Sequence, residues 1–238
     1  LCRSLDHPDH KLVELLLTVG TLREQGVARI VQVAPYLCYM RQDIAFRPGE
    51  AVSQRLVGRF LAALMDRLVT VDPHLHRTAR LEQAVPVQRA IALSATAPLG
   101  DYLARRWDTP LLLGPDAESA QWVGAIAERH GLDWGVARKC RHGDREVEIA
   151  LPELDFRDRQ VVLVDDMAST ARTLTGAAQQ LRPYSPAGIA AVVTHALFDD
   201  RAQAEMQAAG IDPVVSSDSV IHPSNAVCLD ALLASAFD

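Results

Sequence analysis

The stretch VVLVDDMASTARTL, residues 161–174, decides the fold. Its apolar opening suits a strand buried on both faces of a sheet. Two carboxylates, Asp165 and Asp166, stand at the mouth of that strand. A hydroxyl-rich turn follows, directly before what reads as a helix. Like charges placed side by side repel and are costly unless something cationic or hydroxyl-rich sits against them.

Strand-like and helix-like segments alternate on both sides of this stretch. KLVELLLTVGTLREQG (11–26) predicts a helix with Leu12, Leu15, Leu16, Val19 and Leu22 on one stripe, ended by Gly26. RIVQVAPY (29–36) reads as a strand, SQRLVGRFLAALM (53–65) as a helix with Leu56, Val57, Phe60, Leu61 and Leu64 inward, and RLVTVD (67–72) as a strand. After residues 78–96 the pattern restarts. DYLARRW is helical, PLLLGPD a strand, and ESAQWVGAIAERHG a helix closed by Gly131. WGVARK, the strand QVVLVDD, the helix TLTGAAQQLR, the strand GIAAVVTHALF, the helix RAQAEMQAAG and the strand PVVSSD follow, and NAVCLDALLASAF closes the chain as an amphipathic helical segment. Apolar strands alternating with helices predict an α/β fold with mainly parallel sheets flanked by helices. The restart predicts two similar units: residues 1–92, joined by a C-terminal helix at 224–238, and residues 93–223. LCRSLD reads as the end of a strand already under way, so a further N-terminal segment is expected before Leu1.

Composition narrows the function. The 238 residues are 49% hydrophobic and 23% charged, enough for real cores in a globular protein. A formal charge of -6 argues against a nucleic-acid-binding body. No apolar run reaches membrane-spanning length. Cys2, Cys38, Cys140 and Cys228 are scattered and form no CxxC pair, so zinc spacing is absent and reduced cytosolic thiols are expected.

Parallel sheets bind ligands just past the carboxyl ends of their strands, where the polar clusters of this chain fall. In the turn at 168–173, backbone N–H groups, the helix dipole and the hydroxyls of Ser169, Thr170 and Thr173 suit a phosphate. The two aspartates cannot face that phosphate, but they can accept from sugar hydroxyls or hold hydrated Mg2+. A phosphate beside a diol describes ribose 5-phosphate.

The 161–174 stretch resembles the phosphoribosyl-binding motif of the type I phosphoribosyltransferase fold, with Arg172 where that loop usually has glycine. PYLCYMRQD (35–43) resembles the PYxxYxRQD signature of ribose-phosphate pyrophosphokinases, and FRPGEAVSQRLV continues the likeness in an archaeal-type form. LVTVDPHLH resembles their TVDLH element, with Pro73 in the usual leucine position. GPDAESAQWV resembles their SPDxGG segment without its glycines, and ARKCRHGDREVEI resembles their catalytic loop with its Lys-x-Arg core. The resemblance runs from about Lys11 to the C-terminus.

That resemblance implies an enzyme transferring pyrophosphate from MgATP to ribose 5-phosphate. It implies ATP contacts from Arg41, Gln42 and Asp43, with His74 and Asp116 supporting Mg2+. Asp165, Asp166, Ser169, Thr170, Ala171 and Thr173 would hold ribose 5-phosphate, and Lys139 and Arg141 would stabilise the transferring group. It also implies a cytoplasmic homo-oligomer, dimer or hexamer, with no membrane or nucleic-acid partner. Each residue has a plainer reading. His74 alone reads as a structural histidine, Asp116 as a helix cap, Arg41–Gln42–Asp43 as an exposed charged turn, and RKCRHGDRE as a solvated loop that can also serve as a lid. No role for His142 follows. Two other functions stay open: a phosphoribosyltransferase that consumes phosphoribosyl pyrophosphate, and a non-catalytic regulatory paralogue.

Overall fold

The computed structural model describes residues 1–142 and 146–237; for 139–142 and 146–148 the description is of the backbone. The chain forms two compact units, Leu1–Ser94 with Asp230–Asp238, and Ala95–Leu229.

In the first unit, helix α1 (Pro8–Glu24) leads to strand β1 (Val31–Ala34), helix α2 (Ser53–Leu64), strand β2 (Arg67–Val71), the single turn α3 (Leu81–Ala84) and strand β3 (Arg89–Leu93). The strands pair in parallel in the order β1-β2-β3. Residues 1–3 run extended beside β1, with Arg3 N–H donating to the Val33 carbonyl at 2.8 Å. Proline opens α1, where its missing N–H costs no helical bond. Leu15 and Val19 are buried as the spacing predicts. Leu16 is not, at 44% exposed, because the run LVELLL puts apolar residues around more of the helix than the core covers. On α2 the buried line is Gln54, Gly58, Leu61 and Leu64, spaced by three or four residues. Leu56 lies off that line and is 57% exposed, against the inward placement predicted for it. Strand β3 is the element the sequence signal missed. It is a partly exposed edge strand with alanine at 90 and 92, which are weak strand formers.

The second unit runs α4 (Thr96–Arg106), β4 (Leu111–Gly114), α5 (Ala120–His130), β5 (Trp134–Val136), β6 (Arg138–His142), β7 (Glu146–Ala150), β8 (Gln160–Ala168), α6 (Arg172–Leu181), β9 (Gly188–Ala196), α7 (Asp200–Ala208), β10 (Ile211–Ser217) and β11 (Asn225–Val227). Helix α8 (Asp230–Ala234) belongs to the first unit. The closing segment is therefore a short strand followed by a short helix, not one helix from 224 to 238; Asn225 and Val227 pair with β10. Six strands form a parallel sheet in the order β11-β10-β9-β8-β4-β5. Its centre is apolar on both faces, since Leu111–Leu113 and Val161–Val164 are all fully buried. Each such side chain contributes about 1.5–3 kcal/mol of burial. The segment read as a solvated loop at 138–146 contributes to an antiparallel ribbon instead, with Arg138 opposite Ala150 and His142 opposite Glu146. Alternation with Val147 and Ile149 on the return strand is the pattern that marks it.

Candidate functional site

Topology singles out one edge of the large sheet. From β4 the chain moves outward to β5, whereas from β8 it moves the other way to β9 and β10. Strand order thus reverses between β4 and β8, and ligands of such sheets bind outside the carboxyl ends at that reversal. The carboxyl end of β4 leads to Asp116, and that of β8 carries Asp165 and Asp166.

Strand β8 is nine residues long and extends past both aspartates to Ala168, beyond the end that the apolar run alone marks. Asp166 is 4% exposed, and its backbone N–H donates to Asp165 Oδ1 at 3.0 Å. Burial, then the charges of Asp166 and Asp116, push the Asp165 carboxyl up to about 8. Three carboxylates thus share a low-dielectric edge, an arrangement that holds a proton at rest and favours a cation in its place. Asp116 also accepts from Glu118 N–H at 3.1 Å as the cap of a short 3-10 turn, so the capping reading holds. Gly114 is needed just before it, because a β-carbon there would overlap Ser119 Oγ.

The turn after β8 closes on Ala171, buried and left-handed at φ 56. Such a conformation costs a non-glycine residue roughly 1–2 kcal/mol. Ala171 has no side chain able to cap α6, so the first-turn N–H groups are open to an external anion. Ser169 and Thr173 are half-buried beside this turn, Thr170 is exposed, and exposed Arg172 is the first helical residue. On the far side, Leu197 N–H donates to the Ala168 carbonyl at 2.8 Å, tying the root of the turn to the end of β9.

In the first unit, Arg41, Gln42 and Asp43 follow β1 and His74 follows β2, at neighbouring carboxyl ends. Arg41 is exposed and Gln42 half-buried. Asp43 differs from both. Its side chain is 3% exposed and paired with Arg77 Nη1 at 2.9 Å, and it also accepts from Arg77 N–H at 3.1 Å. His74 is half-buried, its ring 6.5 Å from that of His76. The segments bearing Asp43 and His74 are bridged by Gln54, which the sequence reading passed over. A glutamine on the buried line of α2 was the available signal. His74 and Asp116 belong to different units. Lys139 and Arg141 occupy alternate positions on β6, paired with Ile149 and Val147; their side chains lie outside the described residues.

The donors fit a hard cation: aspartate oxygens whose crowding raises a carboxyl pKa are the ligands such ions prefer. Among the described residues no three His, Cys, Asp or Glu side chains form a ready-made metal site, so phosphate oxygens and water would complete the coordination. No helix among the described residues is long and apolar enough to cross a membrane.

Comparison with known proteins agrees with this arrangement. Residues 91–231 match the family model of the phosphoribosyl transferase domain, and residues 1–64 match that of the N-terminal domain of ribose phosphate pyrophosphokinase. The ribose-phosphate pyrophosphokinase of Methanopyrus kandleri is 35% identical over 232 residues, covering 97% of this chain and 78% of that protein. That of Thermococcus kodakarensis is 31% identical over 221 residues, covering 93% and 77%. Among solved structures, phosphoribosylpyrophosphate synthetase from Mycobacterium smegmatis superposes with a TM-score of 0.84 over 99% of this chain and 79% of that one. At 23% identity that likeness is one of fold. With a parallel sheet whose reversal point carries the paired acids, and both family domains matched in order, this chain belongs to the ribose-phosphate pyrophosphokinase family.

Proposed function

We propose that the protein transfers the β,γ-pyrophosphoryl group of MgATP to the C1 hydroxyl of ribose 5-phosphate, giving 5-phosphoribosyl 1-pyrophosphate (PRPP) and AMP. One observation carries this reading. The acid pair and hydroxyl turn of β8 occur in the same chain as an N-terminal unit matching that of ribose phosphate pyrophosphokinases. A phosphoribosyltransferase has no need of the second feature.

We assign the roles from the family resemblance, and the positions of the residues support them. Asp165 and Asp166 accept from the ribose hydroxyls. The N–H groups around Ala171, with Ser169, Thr170 and Thr173, take the 5-phosphate at the positive end of α6. Arg41 and Gln42 bind ATP, while the paired Asp43 holds them in place. His74 and Asp116 would each support a metal, which we take to be Mg2+. Bound there, Mg2+ would neutralise phosphate oxygens and polarise the phosphorus under attack. The C1 hydroxyl oxygen attacks the β-phosphorus, its proton passing to water, and the bond from the β-phosphorus to the oxygen it shares with the α-phosphate breaks, so that AMP leaves in line. Little covalent work falls to the protein, and positioning with charge neutralisation dominates. Lys139 and Arg141 meet the charge that moves toward AMP as the bond breaks.

We further propose a cytoplasmic homo-oligomer, a dimer or a hexamer, on the strength of the family membership. Steady-state AMP release from ATP and ribose 5-phosphate tests the activity. Release that depends on both substrates supports the reading; no release with both substrates present at saturation would overturn it.

A further inference from the structure

Two stretches of the first unit carry the proposed ATP contacts and the proposed metal ligand, residues 35–50 and 72–80. Neither contains a helix or a strand, so their shape depends on what fastens them. Gln54, near the start of α2, is 3% exposed. A buried amide is costly unless both its ends are bonded. Gln54 Nε2 donates to the Met40 carbonyl at 3.1 Å and Gln54 Oε1 accepts from Thr78 Oγ1 at 2.9 Å. The Gln54 backbone N–H donates to the Gln42 carbonyl at 3.2 Å. One residue thus holds the chain on both sides of Arg41 and also the segment after His74. The Asp43–Arg77 pair joins the same two segments a second time.

An apolar side chain at position 54 would fill the buried line of α2 without any bond to satisfy. Glutamine there adds little net stability, because its bonds largely replace bonds to water. What it adds is a fixed relation between two irregular segments. We propose that Gln54 is a positioning residue. With Thr78 and the Asp43–Arg77 pair, it clamps the Arg41–Gln42 segment to the His74 segment, so that nucleotide and metal meet one preset surface. This rests on the proposed pyrophosphoryl transfer for the identity of the nucleotide, and not for the clamp itself.

Gln54→Met keeps the volume and removes both side-chain bonds, Gln54→Glu keeps the acceptor for Thr78 only, and Thr78→Val removes the bond between Thr78 and Gln54. The expected result is a KM for ATP raised roughly fivefold to tenfold in Gln54→Met, on the scale of one or two lost hydrogen bonds. The other two variants should fall between it and the wild type. The Mg2+ concentration giving half-maximal rate should rise in parallel, while the KM for ribose 5-phosphate stays put. Calorimetric titration with MgATP alone gives the same comparison without turnover, so the clamp can be judged even if the protein makes no AMP. Should Gln54→Met fail to fold, Thr78→Val carries the test. A lowered Tm with unchanged ATP affinity would mean a purely structural glutamine. Equal losses for both substrates, or no MgATP binding by the wild type, would also overturn the proposal.

Discussion

Replacing Asp165 with asparagine should make the protein less sensitive to alkaline pH. In the folded chain the Asp165 carboxyl keeps its proton up to about pH 8, because it is buried beside Asp166 and Asp116; its ordinary value is 3.8. Between those two values the folded state binds one proton more than the unfolded state. Stability therefore falls as pH rises through this window, is flat above it, and regains the full contribution only below the ordinary value. One proton corresponds to about 1.4 kcal/mol per pH unit. For a chain of this size that is about 3–5 °C in Tm per unit. Asparagine removes the slope. It can still accept the Asp166 N–H bond, which measures 3.0 Å in the wild type, so the variant should match the wild type only below the ordinary carboxyl value of 3.8 and exceed it increasingly from there up to pH 8. Thermal melts of both proteins, in metal-free and phosphate-free buffers from pH 5 to 9, give the difference, and titrations common to both cancel. A Tm difference that stays constant from pH 5 to 8 would mean that Asp165 is ionised throughout and that its carboxyl is not raised. Added Mg2+ should raise the wild-type Tm at pH 8 more than that of Asp165→Asn, since a cation takes the place of the proton.

Lys139→Ala and Arg141→Ala should each lower kcat about a hundredfold or more, the scale of a lost transition-state donor, with KM values little changed in steady-state assays. Arg172→Gly should retain kcat, and any rise in KM for ribose 5-phosphate should be largest at low salt if the guanidinium neutralises the 5-phosphate. Gly58→Ala should be destabilising by about 3 kcal/mol or more, visible in urea melts, because a methyl group there would overlap the Ala84 carbonyl oxygen and lie 2.8 Å from its carbon.

The large sheet was legible because its central strands are continuous apolar runs, and Val161–Val164 can serve no other purpose in water. The acid pair was legible for the same reason, as charge placed where such a run ends. Other features depend on context that periodicity does not encode. Strand β3 is held by its pairing with β2, not by its own alanines. The exposure of Leu16 and Leu56 is set by which side of each helix the core reaches. Asp43 carries the signature of a ligand contact, yet its carboxylate is bound to Arg77, a residue 34 positions away. The left-handed turn at Ala171 was likewise hidden, since alanine gives no sign of the conformation that glycine would advertise.

The proposed reaction moves two phosphoryl groups together. Incubating the protein with ribose 5-phosphate and ATP labelled at the β-phosphorus, then separating the products, distinguishes this transfer from its alternatives. The label should appear in PRPP, with one unlabelled AMP formed for each. Label retained in ADP would show transfer of the γ-phosphoryl group alone, and label remaining in ATP while added PRPP is consumed would place the protein among the phosphoribosyltransferases.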